Sequence, residues 1–272
     1  MKRYFLSIIL LAFLFTGCEK DYLTIDNLND EIIILGHGGM GIGQTYPMNT
    51  FESILKCINV GAVGSEIDVQ LTKDSVLVAY HSKDLSDNTN ISGTINDLDW
   101  NEIKNAYYVS TPYLNYSIIS LEQLFSNIDN LRNYKFTFDC KLYTNKNSTD
   151  FQKTFVNSIA RIIDKYNLEN NVYIESQSND FLIKLKEKNE NYKLFIYSSF
   201  ENGLKTALNL DLYGITISTE DISKEQIEIA HRNNLYVAIW NTHSKNKNIE
   251  AVKKNPDFIQ TDRVEYLVEL LE

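Results

Sequence analysis

The sequence predicts an α/β fold, a (β/α)₈ TIM barrel with an inserted loop region after the second strand. From Glu31 onward, short β-rich apolar runs alternate with helical stretches. Such alternation indicates parallel strands joined by crossover helices. Eight strand-helix units over roughly 240 residues fit a closed barrel, and an open doubly wound sheet is the alternative.

Eight apolar runs are predicted to be the barrel strands. In chain order they are residues 32–36, 64–69, 135–140, 172–175, 194–197, 213–217, 235–240 and 257–260. The helical candidates between them are residues 50–60, 121–130, 149–166, 180–189, 201–209, 224–233 and 249–254. The chain has only three prolines and no Gly/Ser-rich linker after residue 31, so residues 31–272 are predicted to form one domain.

A long segment between the second and third predicted strands, residues 82–120, lacks a strong hydrophobic period and is rich in Asn, Asp and Ser. Active sites of such barrels lie at the C-terminal ends of the strands. We therefore expect this segment to be an inserted loop region on the active face. The same rule selects the residues that directly follow each strand as candidate site residues.

The N-terminus predicts export and lipidation. Residues 1–17 combine a basic start with a short apolar run, as in a secretory signal. The sequence Phe15-Thr16-Gly17-Cys18 resembles the bacterial lipoprotein processing box, in which Cys18 becomes the lipidated first residue. Residues 18–30 would then tether the domain to a membrane of the bacterial cell envelope, as in a periplasmic or cell-surface lipoprotein. An ordinary cleaved signal or a membrane anchor is the alternative.

Charge and cysteine usage exclude several classes of function. The formal net charge of −10 disfavours nucleic acid as a partner. Besides Cys18, the chain has Cys57 in a predicted helix and Cys140 in a predicted strand, and we expect two buried thiols rather than a bridge. The sequence has no C-x-x-C and no zinc-type spacing, which argues against a sulfur-ligated metal.

Two carboxylates on the second predicted strand suggest a metal site. Side chains alternate faces in an extended chain, so Glu66 and Asp68 project to the same side. Burying such a pair is costly unless a cation lies between them. The pattern therefore indicates a hard divalent ion held by oxygen ligands, and an exposed antiparallel strand is the alternative.

Two histidines follow strands on the predicted active face. His37 and His81 would allow one general base and one general acid beside the ion. His37 lies among glycines spaced as G-x-G-x-x-G, which raises a dinucleotide-binding hypothesis. We disfavour that hypothesis because Gly41, Gly43 and Pro47 prevent a helix from starting within the glycines.

The end of the third predicted strand adds charged groups to the same face. Asp139 supplies a third carboxylate, and Lys141 supplies a cation two residues later. Three carboxylates and a lysine suit a metal together with an anionic, oxygen-rich substrate.

From residue 32 to the end, the sequence resembles the glycerophosphodiester phosphodiesterase family of the phospholipase-C-like phosphodiesterase barrels. The family motifs His-Arg-Gly and Pro-Glu-Asn-Thr resemble residues 37–39 and 47–50. The long family motif Gly-Ala-Asp-x-x-Glu-x-Asp-Val-x-x-Thr-Lys-Asp-Gly-x-x-Val-x-x-His-Asp resembles residues 61–82. The Glu-x-Lys strand, the Trp-Thr-Val-Asn strand end and the closing Gly-Ile-Ile-Thr-Asp resemble residues 139–141, 239–242 and 258–262.

The resemblance implies metal-dependent hydrolysis of a small-molecule glycerophosphodiester to an alcohol and glycerol 3-phosphate. The roles it implies are acid/base catalysis by His37 and His81, binding of Ca²⁺ or Mg²⁺ by Glu66, Asp68 and Asp139, phosphate contact by Lys141, and pocket lining by Trp240.

Three positions depart from the family pattern. Gly38 stands where the family has arginine, Met48 where it has glutamate, and Asp139 where it has glutamate. Loss of the guanidinium removes a charge-assisted contact to phosphate. The alternative function is therefore a catalytically weak or inactive barrel that binds a phosphorylated or sugar ligand at the cell envelope. A phosphodiesterase for intact phospholipids is a third hypothesis, favoured by the lipid anchor.

Overall fold

The computed structural model describes residues 24–109, 112–113, 115–144 and 148–272. The predicted signal peptide and the lipidation site at Cys18 lie outside these residues. Within the described part of the chain the strands are β1 (Ile33–Gly36), β2 (Gly64–Leu71), β3 (Leu77–Ala79), β4 (Ile119–Ser120), β5 (Lys135–Cys140), β6 (Val172–Ser176), β7 (Lys193–Tyr197), β8 (Gly214–Ser218), β9 (Tyr236–Thr242) and β10 (Phe258–Thr261).

Eight of these strands form a closed parallel barrel. The order around the ring is β1-β10-β9-β8-β7-β6-β5-β2, and β2 pairs with β1 to close it. The predicted (β/α)₈ barrel is thus confirmed, and the open-sheet alternative is wrong because β1 has a parallel neighbour on both sides. The predicted strand ends lie within two residues of the observed ones.

Helices follow the barrel strands and surround the ring. They are α1 (Phe51–Asn59), α2 (Trp100–Ile103), α3 (Leu121–Ser126), α4 (Ser148–Tyr166), α5 (Asn179–Lys188), α6 (Phe200–Leu210), α7 (Lys224–Arg232), α8 (Lys245–Lys254) and α9 (Val264–Leu271). Helix α1 shows the local logic, since the Thr50 hydroxyl caps it by accepting from Ser53 N–H while Ile54 and Ile58 face the core.

The inserted region is more ordered than the sequence predicted. Strand β3 pairs antiparallel with β2, and β4 pairs antiparallel with β3, so the excursion begins before residue 82. The insertion also carries α2 and has a small apolar cluster of its own. Strands of three and two residues are too short to show a period, which is why the sequence did not reveal them.

The barrel interior is apolar at one end and polar at the other. Inward-pointing residues of the strands meet in a central apolar cluster, made by Ile33, Leu35, Tyr173, Phe195, Ala238 and Phe258. A larger apolar layer lies between the sheet and the helices. Both Cys57 and Cys140 are buried free thiols, as predicted. The aromatic filling leaves the polar inward positions to the C-terminal strand ends, where the candidate site lies.

The N-terminal segment is bound to the base of the barrel, the N-terminal end of the strands. Asp26 N–H donates to Asn255 Oδ1 at 3.2 Å, and the Asn27 amide donates to Pro256 O at 2.7 Å. Leu28 N–H donates to Asp257 Oδ1 at 2.9 Å. Residues 255–257 directly precede β10, so these bonds fix the chain entry to the base. None of the helices in the described ranges has both the length and the apolarity needed to cross a bilayer.

Candidate active site

Three buried carboxylates meet at the C-terminal ends of two adjacent strands. Glu66 and Asp68 lie two residues apart on β2, and Asp139 on β5 is the direct register partner of Asp68. One oxygen from each of the three lies within 4.8 Å of the others. The three residues are 2%, 1% and 9% exposed, so solvent does little to offset their mutual repulsion. The arrangement therefore requires a positive partner.

Lys141 supplies part of that positive charge. Its Nζ lies 3.0 Å from Asp68 Oδ1 and 2.5 Å from Asp139 Oδ2. Burial opposes the charge of Lys141, but the two aspartates outweigh burial and raise its pKa above the ordinary value. The lysine follows β5 directly, so its ammonium enters the site from the mouth of the barrel.

Glu66 is only partly satisfied by protein groups. Gly38 N–H donates to its Oε2 at 2.8 Å, while its Oε1 is buried without a hydrogen-bond partner. Burial, reinforced by Asp68 and Asp139, raises the pKa of the Glu66 carboxyl well above its ordinary value. An unpartnered buried carboxylate oxygen beside two further carboxylates fits a hard, oxygen-seeking cation, so the residues present suit such an ion.

Asp68 is held in place on both sides. The Asn49 amide donates to Asp68 Oδ2 at 2.7 Å, and Asp68 N–H donates to Asn49 Oδ1 at 3.0 Å. Burial alone would raise the pKa of Asp68, but Lys141, with further help from the two histidines, lowers it below the ordinary value. Asp68 is therefore the carboxyl group of the acidic cluster that most favours the ionised form, and Asn49 fixes its position.

His37 is oriented by a buried aspartate. Its Nδ1 lies 2.9 Å from Asp262 Oδ1, which also accepts from Ile42 N–H at 2.9 Å. Burial disfavours the charged imidazole, but the hydrogen bond and charge of Asp262 outweigh it, and the pKa of His37 is raised. Because the Nδ1 side of the ring is engaged by Asp262, Nε2 is the ring nitrogen left for chemistry.

His81 lies at the exposed rim of the site. It follows β3 in the chain. Because β3 pairs antiparallel with β2 as a hairpin, it returns the chain alongside the strand that carries Glu66 and Asp68. The backbone on either side is fixed by Gln70, whose amide donates to Tyr80 O at 2.7 Å and to Ser82 O at 2.8 Å. The sequence placed His81 on the active face, and the hairpin is the element that carries it there.

A cavity of about 170 Å³ joins these groups. It is lined by all seven predicted barrel-site residues, namely His37, Glu66, Asp68, His81, Asp139, Lys141 and Trp240, together with Ile42, Glu175, Tyr197 and Gln260. The Trp240 ring lies 6.4 Å from the His37 ring and 5.8 Å from the Tyr197 ring, measured between centroids. The structure thus brings the predicted residues together, although their chemical roles stay predictions.

Sequence reasoning missed several supporting residues. Glu175, at the end of β6, accepts from Thr216 Oγ1 at 2.7 Å and from Gln260 Nε2 at 3.1 Å. Burial raises the pKa of Glu175 to about 8. Glu175 and Asp262 both stand at C-terminal strand ends, so the rule that selected the other residues would also have found them. Asn49 lies in a loop, which the strand-end rule does not select, and only its place in the motif at residues 47–50 pointed to it.

A barrel with an acidic cluster, a lysine and two histidines at the C-terminal strand ends belongs to the class of (β/α)₈ barrel enzymes. More particularly, the chain belongs to the glycerophosphoryl diester phosphodiesterase family, since the family profile matches residues 40–266. It is therefore a phosphoric diester hydrolase by family.

A curated relative supports this membership. The chain is 26% identical over 251 residues to a glycerophosphodiester phosphodiesterase of Caldanaerobacter subterraneus, a match that covers 89% of this chain and 98% of the relative.

Solved structures share the fold. A protein of Galdieria sulphuraria, described as a glycerophosphodiester phosphodiesterase, superposes with a TM-score of 0.77 at 21% identity, covering 89% of this chain and 98% of that one. An Oleispira antarctica phosphodiesterase, solved with the product sn-glycerol-3-phosphate, gives a TM-score of 0.76 at 17% identity, with 87% and 95% coverage.

Proposed function

We propose that the protein hydrolyses glycerophosphodiesters to an alcohol and glycerol 3-phosphate with the help of Ca²⁺ or Mg²⁺. The observation that carries the proposal is the unpartnered Oε1 of Glu66 inside a cluster of three buried carboxylates. Family membership supports the reaction class. The product-bound Oleispira phosphodiesterase, which has the same fold, supports glycerol 3-phosphate as the product.

Glu66, Asp68 and Asp139 would hold the cation. When bound, the cation supplies a Lewis acid that neutralises and polarises phosphoryl oxygens. Lys141, already within hydrogen-bond reach of two carboxylates, would place its ammonium beside the same phosphoryl group. Trp240, on the cavity wall, would contact the glycerol carbons.

His37 would act as the general base. With its Nδ1 proton held by Asp262, its Nε2 lone pair can accept a proton from the attacking oxygen, which belongs to water or to a neighbouring glycerol hydroxyl. The new phosphorus–oxygen bond forms as the bond to the leaving alcohol breaks. His81, at the exposed rim of the same cavity, would donate a proton to the departing alcohol oxygen. If the glycerol hydroxyl attacks, water then opens the cyclic ester.

Lipidation at Cys18 after removal of residues 1–17, with residues 18–30 as the tether of the 31–272 barrel, is part of the proposal. The processing-box resemblance of the sequence supports it. The enzyme would then work at the bacterial cell envelope, as a periplasmic or cell-surface lipoprotein.

The test is release of glycerol 3-phosphate from a panel of glycerophosphodiesters by the purified protein, with Ca²⁺, with Mg²⁺ and with a chelator. We expect turnover that needs the ion and disappears in Glu66→Gln. The exposed Glu187 on α5 offers the matched control Glu187→Gln, which should keep full activity. Turnover that persists in chelator and in Glu66→Gln would overturn the site assignment.

A second candidate function is capture of a phosphorylated or sugar ligand without turnover. It is favoured by the packing at Gly38, where a Cβ atom would lie 2.8 Å from Met48 Cβ. An apolar side chain thus fills the space beside His37, where the resembled family carries an arginine. Calorimetric binding of a glycerophosphodiester with no product over hours would support this function. Release of head group from phospholipid vesicles would instead support action on intact phospholipids.

A further inference from the structure

A second pocket, of about 280 Å³, opens beside the candidate active site. It lies between the glycine-rich loop after β1 and the insertion that follows β3. His37, Ile42 and His81 line both this pocket and the catalytic cavity, so the two are continuous across the histidine pair. We call it the apolar pocket, and its other lining residues are Gly41, Gly43, Pro47, Met48, Asn49, Tyr80, Ser82, Asn88, Tyr108 and Tyr113.

The apolar pocket differs from the catalytic cavity in charge. Apart from the two shared histidines, none of its described lining residues is ionised at neutral pH. The catalytic cavity, by contrast, has four carboxyl groups and Lys141. A cationic group moved from water into the apolar pocket would lose hydration without gaining a carboxylate partner there.

The tyrosines of the apolar pocket present rings rather than free hydroxyls. Tyr108 Oη donates to Met48 O at 3.1 Å, and Tyr113 Oη donates to Gln44 O at 2.9 Å. Tyr80 Oη lies 3.2 Å from Asp84 O, to which it donates. Because these hydroxyls donate to backbone carbonyls, the tyrosine surface left for a ligand is mainly hydrocarbon.

Met48 supplies the adaptable part of this surface. Its side chain packs directly against Gly38, whose φ of +57° disfavours any larger residue. The Met48 side chain therefore covers the backbone next to His37 on the side of the apolar pocket. Methionine adjusts its shape to apolar groups more readily than branched side chains do.

We propose that the apolar pocket binds the leaving alcohol of the phosphodiester and selects an uncharged hydrocarbon alcohol over a cationic head group. The proposal rests on the proposed hydrolysis. The polar cavity takes the phosphoryl group and the glycerol hydroxyls, which places the other ester arm past the histidines. His81, which would protonate the departing alcohol, lines the pocket that the alcohol occupies.

The experiment compares two substrates that yield the same product, sn-glycerol 3-phosphoryl hexanol and sn-glycerol 3-phosphorylcholine. We expect kcat/KM for the hexyl ester to exceed that for the choline ester by about ten-fold or more, since each methylene adds to discrimination in an apolar site. Met48→Gln, of similar size but polar, should reduce this ratio to below about three-fold. Leu208→Gln, at an exposed apolar position on α6, is the matched control and should keep the ratio.

Calorimetric binding of both esters in the presence of the ion separates this proposal from the proposed function. Turnover with a preference for the choline ester, or a ratio unaffected by Met48→Gln, overturns the apolar-pocket proposal and leaves hydrolysis intact. A third outcome is that neither ester is turned over but the hexyl ester binds more tightly than the choline ester. It overturns hydrolysis and supports the pocket.

Discussion

At the scale of the residue, Glu66 decides whether the site needs a cation. The carboxyl is buried, keeps one oxygen without a partner and lies beside two other acids. Without a cation, its charge is unfavourable, as the raised pKa shows. A bound divalent ion would reverse that balance and stabilise the ionised form.

Glu66→Gln should separate ion binding from folding. The amide oxygen of glutamine can still accept from Gly38 N–H, so we expect the metal-free variant to unfold at the same temperature as the wild type or higher. We also expect the rise in Tm on adding Ca²⁺ or Mg²⁺ to disappear and activity to fall by more than about 100-fold. Thermal unfolding with and without the ion measures this, with Glu187→Gln as control. A full ion-induced rise in Glu66→Gln would contradict the assignment.

Asp262→Asn should lower the pKa of His37. Burial by itself lowers that pKa, and Asp262, with a smaller contribution from Asp68, raises it. A raised folded-state pKa stabilises the protein below the unfolded value of about 6.5, and this stabilisation is lost as pH rises through the folded-state pKa. We therefore expect the variant to lose that part of the pH dependence.

NMR titration of the His37 ring in the metal-free protein checks the shift, and denaturant unfolding at several pH values checks the stability. The exposed Asp180 on α5 gives the control Asp180→Asn. An unchanged His37 titration in Asp262→Asn would show that Asp262 does not set the pKa.

At the scale of the element, the hairpin of β2 and β3 positions His81. Its inner contact is Gln70, 2% exposed, which donates to two carbonyls on either side of the histidine. The hairpin therefore joins the carboxylate strand to the rim histidine as one unit. The Gln70 amide adds to the backbone pairing of the two strands, in which Tyr80 N–H also donates to Asp68 O at 3.0 Å.

Gln70→Leu keeps the volume of the side chain but removes both hydrogen bonds. One buried and one partly buried carbonyl lose their donor, so we expect a loss of about 1–3 kcal/mol in the free energy of unfolding. We also expect kcat to fall because His81 is no longer fixed, while the ion-induced rise in Tm remains. Denaturant unfolding and steady-state kinetics measure these effects. Gln152→Leu, on the half-buried side of α4, is the comparison, and equal losses in both variants would argue against the positioning role.

The same elements show what sequence can predict. Glu66 and Asp68 were predictable because strand alternation is a local property of the backbone. The pairing of His37 with Asp262 was not, because it joins residues 225 positions apart across the closure of the ring. Asn49 adopts a left-handed φ of 63° in the loop before α1, a conformation that composition alone does not reveal. Local periodicity thus predicted that the two β2 carboxylates lie together, and ring closure supplied the partner of His37.

At the scale of the whole molecule, the barrel interior has an apolar packed centre and a separate acidic site at the C-terminal ends of the strands. Aromatic side chains such as Tyr173, Phe195 and Phe258 fill its centre, with Tyr173 and Phe258 only 4.8 Å apart between ring centroids. Above them, the acidic cluster rests on strands whose neighbours are packed on both sides. A rigid interior of this kind holds the carboxylates at fixed separations, which a selective cation site requires.

The contacts of residues 26–28 with the base of the barrel have a consequence for orientation at a membrane. If Cys18 is lipidated, eight residues separate the lipid from Asp26, a reach of about 28 Å at full extension. Strand β2 alone spans about 26 Å, and the surrounding helices must also be cleared. The lipid would thus stay below the barrel, and the mouth would open toward the aqueous phase.

We accordingly expect the lipidated protein on vesicles to hydrolyse a soluble glycerophosphodiester within about two-fold of the rate of the unlipidated Cys18→Ser variant, as a site open to the water would allow. Phospholipids of the same vesicle should stay intact. Head-group release from that vesicle would mean that the mouth reaches the bilayer. With its base toward the lipid, the enzyme would gather esters that diffuse past the envelope rather than lipids of the leaflet that holds it.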